Sequence, residues 1–238
     1  MTIFSYLLLF FSVLLSGLGF FIFKKSDQRY LKLSLAFSGA YLFAISVIHL
    51  IPETYSSGNK IIGVYILAGF LFQILLEFFS EGIEHGHIHV HKHNTATFPL
   101  AIIVSLCVHS FFEGMPLVEN ISMKINNSLL TGIILHHVPV AFALMSMLIA
   151  SGTKKNIAII LLILFAAMAP LGAISSSMLS NNIIGNISSY FDIIMAFVIG
   201  IFLHISTTIL FESSEEHHFN IYKMITILIG AGVALLSI

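Results

Sequence analysis

Charge is what this sequence has least of. Of 238 residues only 9% are Asp, Glu, Lys or Arg, against about 25% in an ordinary soluble domain. A water-soluble fold of this length cannot cover its surface with so few polar side chains, which excludes a cytosolic globular enzyme. There is a single cysteine, Cys107, so neither an intramolecular disulfide nor a multi-thiolate metal site can form. Tryptophan is absent, and any aromatic belt at a membrane surface must rest on Tyr and Phe. A formal net charge of −1 provides no concentrated basic surface, so nucleic acid is excluded as a partner.

What is present is apolar sequence in long runs. Hydrophobic residues make up 58% of the chain and the mean hydropathy is +1.01. A membrane-spanning helix needs about 20 mostly apolar residues. Eight such runs occur: Ile3–Phe23, Leu31–Ile51, Ile61–Ser80, Phe98–Val118, Ser128–Ser151, Ile157–Leu179, Ile187–Phe211 and Ile221–Ile238. The first lacks a basic start and an A-x-A cleavage site, so it reads as a retained helix rather than a signal peptide. Period-2 alternation is missing, which argues against a barrel. The expected fold is all-α, a single polytopic domain over residues 1–238 built as a bundle of eight transmembrane helices.

Orientation follows from the basic residues. With the N-terminus outside, Lys24, Lys25, Arg29, Lys32, Lys92, Lys154, Lys155 and Lys223 fall on the inner side, and only Lys60 and Lys124 on the outer. Both termini are therefore expected outside the cytoplasm. The segment 82–97 then becomes a cytoplasmic loop containing EHGHIHVHKH, with His85, His87, His89, His91 and His93. Alternating imidazoles in a short polar tract suit loose metal binding. A multi-pass protein of this size with no targeting features fits a bacterial inner membrane.

Twelve histidines in a chain this poor in polar groups draw attention to those at membrane depth, where ionisable side chains are costly and functional by default. The fourth run contains His109-Ser110-Phe111-Phe112-Glu113-Gly114. His109 and Glu113, at i and i+4, share a helical face. The fifth contains His136-His137-Val138-Pro139. His109 and His136 both fall near the middle of their spans, so two antiparallel neighbours bring imidazoles and a carboxylate together. That is a ligand set for Zn²⁺ and related divalent ions. His137 is rotated about 100° from His136 and faces either the same site or a neighbouring helix. Pro116, Pro139 and Pro170 are expected to interrupt backbone hydrogen bonding in their spans. His49 and Glu53 end the second span at the outer face, and Asp192 starts the seventh there. His204 and Glu212, with Glu77 and Glu81, mark the inner side. Ligands outside, at the centre and inside describe a route across the membrane.

These motifs resemble the ZIP family of divalent-metal transporters. HSFFEG is similar to the family's H-[SN]-x-x-E-G, HHVPVAFAL to its H-x-x-P-E-A-F-A-L, HLIPE at His49–Glu53 to the H-L-L-P-E closing its second span, and GIFLHISTTILFE to its seventh-span pattern ending in L-x-E. The resemblance implies a transporter, not an enzyme, carrying Zn²⁺ (or Fe²⁺, Mn²⁺ or Cd²⁺) towards the cytoplasm as substrate, with no resident cofactor. It also implies a midmembrane site at His109, Glu113 and His136, and homodimerisation. The family's fifth span places a Glu where this chain has Val140, and Ser110 and Ala169 stand at other positions that can hold polar ligands. One central ion rather than two is therefore expected, with a preference for nitrogen-favouring metals. The family's second-span contributor falls near Tyr41. Two rival readings of the residues are an intramembrane zinc hydrolase, for which no H-E-x-x-H is present, and a metal exporter or sensor.

Overall fold

The computed structural model describes residues 3–23, 28–56, 58–80, 82, 98–117, 123–182, 187–211 and 221–237. Among these residues there are eight long helical segments and no strand: α1 (Ile3–Gly19), α2 (Gln28–Tyr55), α3 (Ile62–Ser80), α4 (Phe98–Gly114), α5 (Met123–Ala150), α6 (Lys155–Asn182), α7 (Ile187–Phe211) and α8 (Ile221–Leu236). Each apolar run in the sequence has become one helix. In α2, α3, α5, α6 and α7 the apolar helix is long enough to cross a membrane. The apolar parts of α1, α4 and α8 are 17 residues or shorter, about 25 Å at 1.5 Å per residue. Large side chains such as Leu67, Phe78, Leu100 and Leu228 are exposed, as the lipid-facing side of a bundle requires.

The prolines behave more mildly than the sequence suggests. Pro139 and Pro170 lie inside helices that continue through them, because losing one N–H leaves the adjacent turns bonded and neighbouring helices hold the segment in place. Pro116 is outside α4, in the turn after Gly114. The visible distortion is in α2. There, residues Ser46–Leu50 form a π-helical turn in which the Ile51 N–H reaches back to Ser46 O. Pro52, next along, cannot donate to the carbonyl of Ile48, and widening the turn before it accommodates that loss.

Pairs of contacts give the helix directions. Ser16 of α1 and Phe20, just past its end, meet Val138 and Phe142 of α5 in the same order, so α1 and α5 run parallel. So do α3 and α7, where Gly69 meets Phe197 and Glu77 meets His204, and α2 and α8, where Arg29 meets Tyr222 and Phe37 meets Gly230. In contrast, α1 is antiparallel to α6 (Gly17 with Leu162, Phe21 with Lys155), and α3 to α4 (Leu76 with Ser105, Gln73 with His109). Within each of these packed groups, odd-numbered helices share one direction and even-numbered ones share the opposite direction.

Glycine sets the closest approaches. A Cβ on Gly69 would come within 1.8 Å of Phe197 O, and one on Gly200 within 2.0 Å of Ile66 O. Between α4 and α6 the same reciprocity holds, with Gly114 facing Ala169 O and Gly172 facing Phe111 O, each at 2.0 Å. Apolar helices in lipid gain little from hydrophobic burial, and small residues that let backbones touch supply the packing instead. Two apolar clusters fill the interior. One centres on Ile102, Leu106, Val140, Leu144, Leu162 and Phe165, the other on Tyr41, Ile45, Ile133, Val198 and Phe202.

Gly69→Ala is expected to lower the thermal midpoint of the detergent-purified protein, through an overpacking cost of about 1–3 kcal/mol. Gly232→Ala, with open space around the new methyl, should leave the midpoint unchanged or raise it.

Candidate metal centre

The centre forms where α4 and α5 face each other, two helices that share little backbone contact elsewhere. His109 and Glu113, one turn apart on α4, are fully buried, as are His136 and His137 on α5. Nε2 of His109 lies 3.2 Å from Glu113 Oε1, and Nε2 of His137 lies 2.5 Å from Glu113 Oε2. One ligand atom from each of His109, Glu113 and His137 can be chosen such that all three lie within 4.8 Å of one another. Bonds of about 2.0–2.2 Å from zinc to imidazole nitrogen or carboxylate oxygen in a tetrahedral site put such atoms about 3.3–3.6 Å apart. The set therefore closes on an ion by drawing in by at most about 1.5 Å.

The structure puts His137, not His136, against Glu113. The His136 ring stands beside the group, with centroids 5.9 Å from His109 and 6.0 Å from His137. Adjacent residues on a helix can both border one cavity when it lies between their two directions, which the 100° offset alone does not reveal. Phe165 of α6 packs on the His137 ring at 5.6 Å between centroids and holds it there. Val140 is buried within the apolar core, and the Tyr41 hydroxyl is engaged with Ser128 O at 3.2 Å. Ser110 is buried and its hydroxyl has no hydrogen-bond partner among the described residues.

A buried polar neighbour of His109 that the sequence motifs alone do not single out is Gln73 on α3. It is fully buried, and its Oε1 is 3.1 Å from His109 Nδ1. The signal was available: Gln73 is the one side-chain amide in the middle of any of the eight helices. One turn further along α3, Glu77 pairs with His204 of α7, and Phe70 packs edge-on to the same imidazole at 5.0 Å. A polar stripe on α3 thus runs from the central group towards the end where Ser80 closes the helix. At the opposite end of the bundle, His49 sits in the π-turn of α2 with Nε2 buried and unpartnered among the described residues. Glu53 is exposed one turn on, and Asp192 is partly buried at the start of α7. None of these three joins the central group. Glu81, Glu212 and the histidines of the 82–97 loop lie outside the described residues.

Chemically, a carboxylate with no exposure to water and, among the described residues, no Lys or Arg paired to it is unstable unless a cation or proton donors compensate it. Two imidazoles and a carboxylate form the His₂Glu donor set of zinc sites. Comparison with known families then decides the matter: the family described as "ZIP Zinc transporter" matches residues 83–237. The chain belongs to the ZIP family. ZIP proteins are transporters and not enzymes, which sets aside the hydrolase reading, and the chain is a multi-pass membrane protein that moves divalent metal ions as its substrate. The match covers α4 to α8, so it includes the central group on α4 and α5 but not Gln73, Glu77, His49 or Glu53, which precede it.

Zinc titration of the purified protein should show His137→Ala weakening binding more than His136→Ala, since His137 belongs to the close group with Glu113.

Proposed function

We propose that this ZIP protein carries Zn²⁺ into the cytoplasm through the buried His109–Glu113–His137 group, with His136 as an adjoining ligand. The observation that carries the reading is the convergence of two imidazoles on one fully buried carboxylate, contributed by two different helices. The chain forms one domain of eight membrane-crossing helices with both termini outside. The helix directions within each packed group fit eight crossings, and the distribution of eight basic residues inside against two outside supports the orientation. The inner membrane is the proposed location, and the unit is a homodimer.

The ion meets His49, Glu53 and Asp192 at the outer mouth and exchanges water for imidazole and carboxylate at the centre. A change in how one helix group rests on the other then closes the outer side and opens the inner, as alternating access requires. On the inner side the polar stripe of α3 and its partner give the ion its next ligands, Glu77 and His204, before Glu212 and the histidine loop. Desolvation of the ion is compensated only if its ligands are already gathered and deprotonated, so proton excess opposes loading. A single central ion follows from the apolar Val140 at the fifth-span position where relatives with two ions place a bridging Glu. The ligand set that remains, rich in imidazole, favours Zn²⁺ over harder ions such as Mn²⁺.

Uptake of radiolabelled Zn²⁺ into proteoliposomes tests the reading. His109→Ala and Glu113→Ala should each abolish uptake while the protein still inserts, and unchanged flux in both would refute the central-site assignment. In Val140→Glu, the restored carboxylate beside the group should raise the bound metal from one ion per chain to two, counted by elemental analysis after equilibrium dialysis.

A further inference from the structure

We infer that Gln73 is a positioning residue for the metal site, holding His109 in the one tautomer that can bind the ion; the inference rests on the central-site reading above. The argument begins with what a neutral imidazole can do. It has one N–H and one lone pair. His109 has two neighbours that accept hydrogen bonds: Glu113 Oε1, 3.2 Å from Nε2, and Gln73 Oε1, 3.1 Å from Nδ1. Without Gln73, the ring proton would go to Nε2, where a carboxylate offers the stronger, charge-assisted bond. That tautomer buries the lone pair on the wrong side of the ring and leaves the metal site without its first nitrogen ligand. The Gln73 carbonyl oxygen is an acceptor only. It therefore keeps the proton on Nδ1 and leaves the Nε2 lone pair directed at the position between Glu113 and His137. A hydrogen bond to the far nitrogen of a metal-binding imidazole is the usual means of fixing its tautomer and ring angle.

The surroundings show why this bond keeps its geometry. Gln73 is fully buried, so water does not compete for its carbonyl. Ser105 Oγ of α4 donates to Leu76 O of α3 at 2.7 Å, fixing the register of the two helices about one turn from the Gln73–His109 pair. Helix α3 is in turn locked to α7 at Gly69 and Gly200. One central ligand is thus oriented from outside its own helix pair, by a side chain on α3, whereas His137 is oriented by Glu113 and Phe165. A role as polar glue between α3 and α4 requires the bond but not its polarity. A positioning role requires an acceptor at Gln73 and a proton on Nδ1.

The full chain, labelled with ¹⁵N-histidine and reconstituted in nanodiscs, supplies the test. Two-bond ¹H–¹⁵N correlation spectra of the metal-free protein report the tautomer, and the His109 signals are identified by their loss in His109→Ala. The wild type is expected in the Nδ1–H form, and Nε2–H there would overturn the inference without any variant of Gln73. Gln73→Met, which keeps the length but not the acceptor, should move His109 towards Nε2–H and weaken Zn²⁺ binding about 10–100-fold, the usual effect of removing such a partner. Gln73→Glu, which keeps an acceptor oxygen, should restore the Nδ1–H signal and most of the affinity. Unchanged tautomer and affinity in Gln73→Met, or a Gln73→Glu protein as defective as Gln73→Met, would also overturn it. Should His109→Ala bind Zn²⁺ as tightly as wild type, the central-site reading itself fails, an outcome distinct from a null result at Gln73.

Discussion

Glu113 imposes the constraint around which the rest of this molecule is organised. A carboxylate fully withdrawn from water, in a bundle whose exterior is hydrocarbon, carries a desolvation cost of several kcal/mol that no apolar contact can offset. It has to be surrounded by groups that accept a cation among them or donate protons to it. The sequence supplies imidazoles from the same helix at i−4 and from α5, which do either according to their protonation. That dual capacity suits a carrier better than a permanent salt bridge would. A lysine at the same place would neutralise Glu113 and leave no room for cargo.

Holding such a group open requires rigid neighbours, and these are made from glycine. Gly114 follows Glu113 directly and brings α4 against the α6 backbone at Ala169, while Gly172 returns the contact at Phe111. The residue that closes the HSFFEG motif thus serves packing, and its effect on the metal group is to set where the Glu113 backbone rests. Gly69 and Gly200 do the same for α3 and α7. That pairing aligns Glu77 with His204 and carries Gln73 to His109. Close helix packing and metal geometry are therefore the same problem here.

Much of this was legible from the sequence, for specific reasons. Hydropathy marked all eight helices because in lipid each one must bury its own backbone hydrogen bonds, and the ends differed by a few residues where turns such as Phe20–Ile22 follow the helix or where α5 and α6 extend beyond the apolar run. The i, i+4 spacing found His109 and Glu113 because it is a property of one helix. The choice between His136 and His137 was not legible, since it depends on how α5 is rotated against α4, which residues remote in sequence such as Phe165 decide. Gln73 escaped for a related reason: an amide carries no charge, and only its apposition to His109 across helices gives it meaning. The mildness of Pro139 and Pro170 also came from neighbours, not from local sequence.

The central claim is that one divalent ion sits among His109, Glu113 and His137. Anomalous diffraction at the zinc edge, from crystals of the full chain grown with Zn²⁺, addresses it most directly. The account predicts one strong peak between α4 and α5, about 2.0–2.2 Å from Nε2 of His109, Nε2 of His137 and a Glu113 oxygen. Zinc peaks confined to the surface or to the ends of the bundle, with none at Glu113, would contradict it.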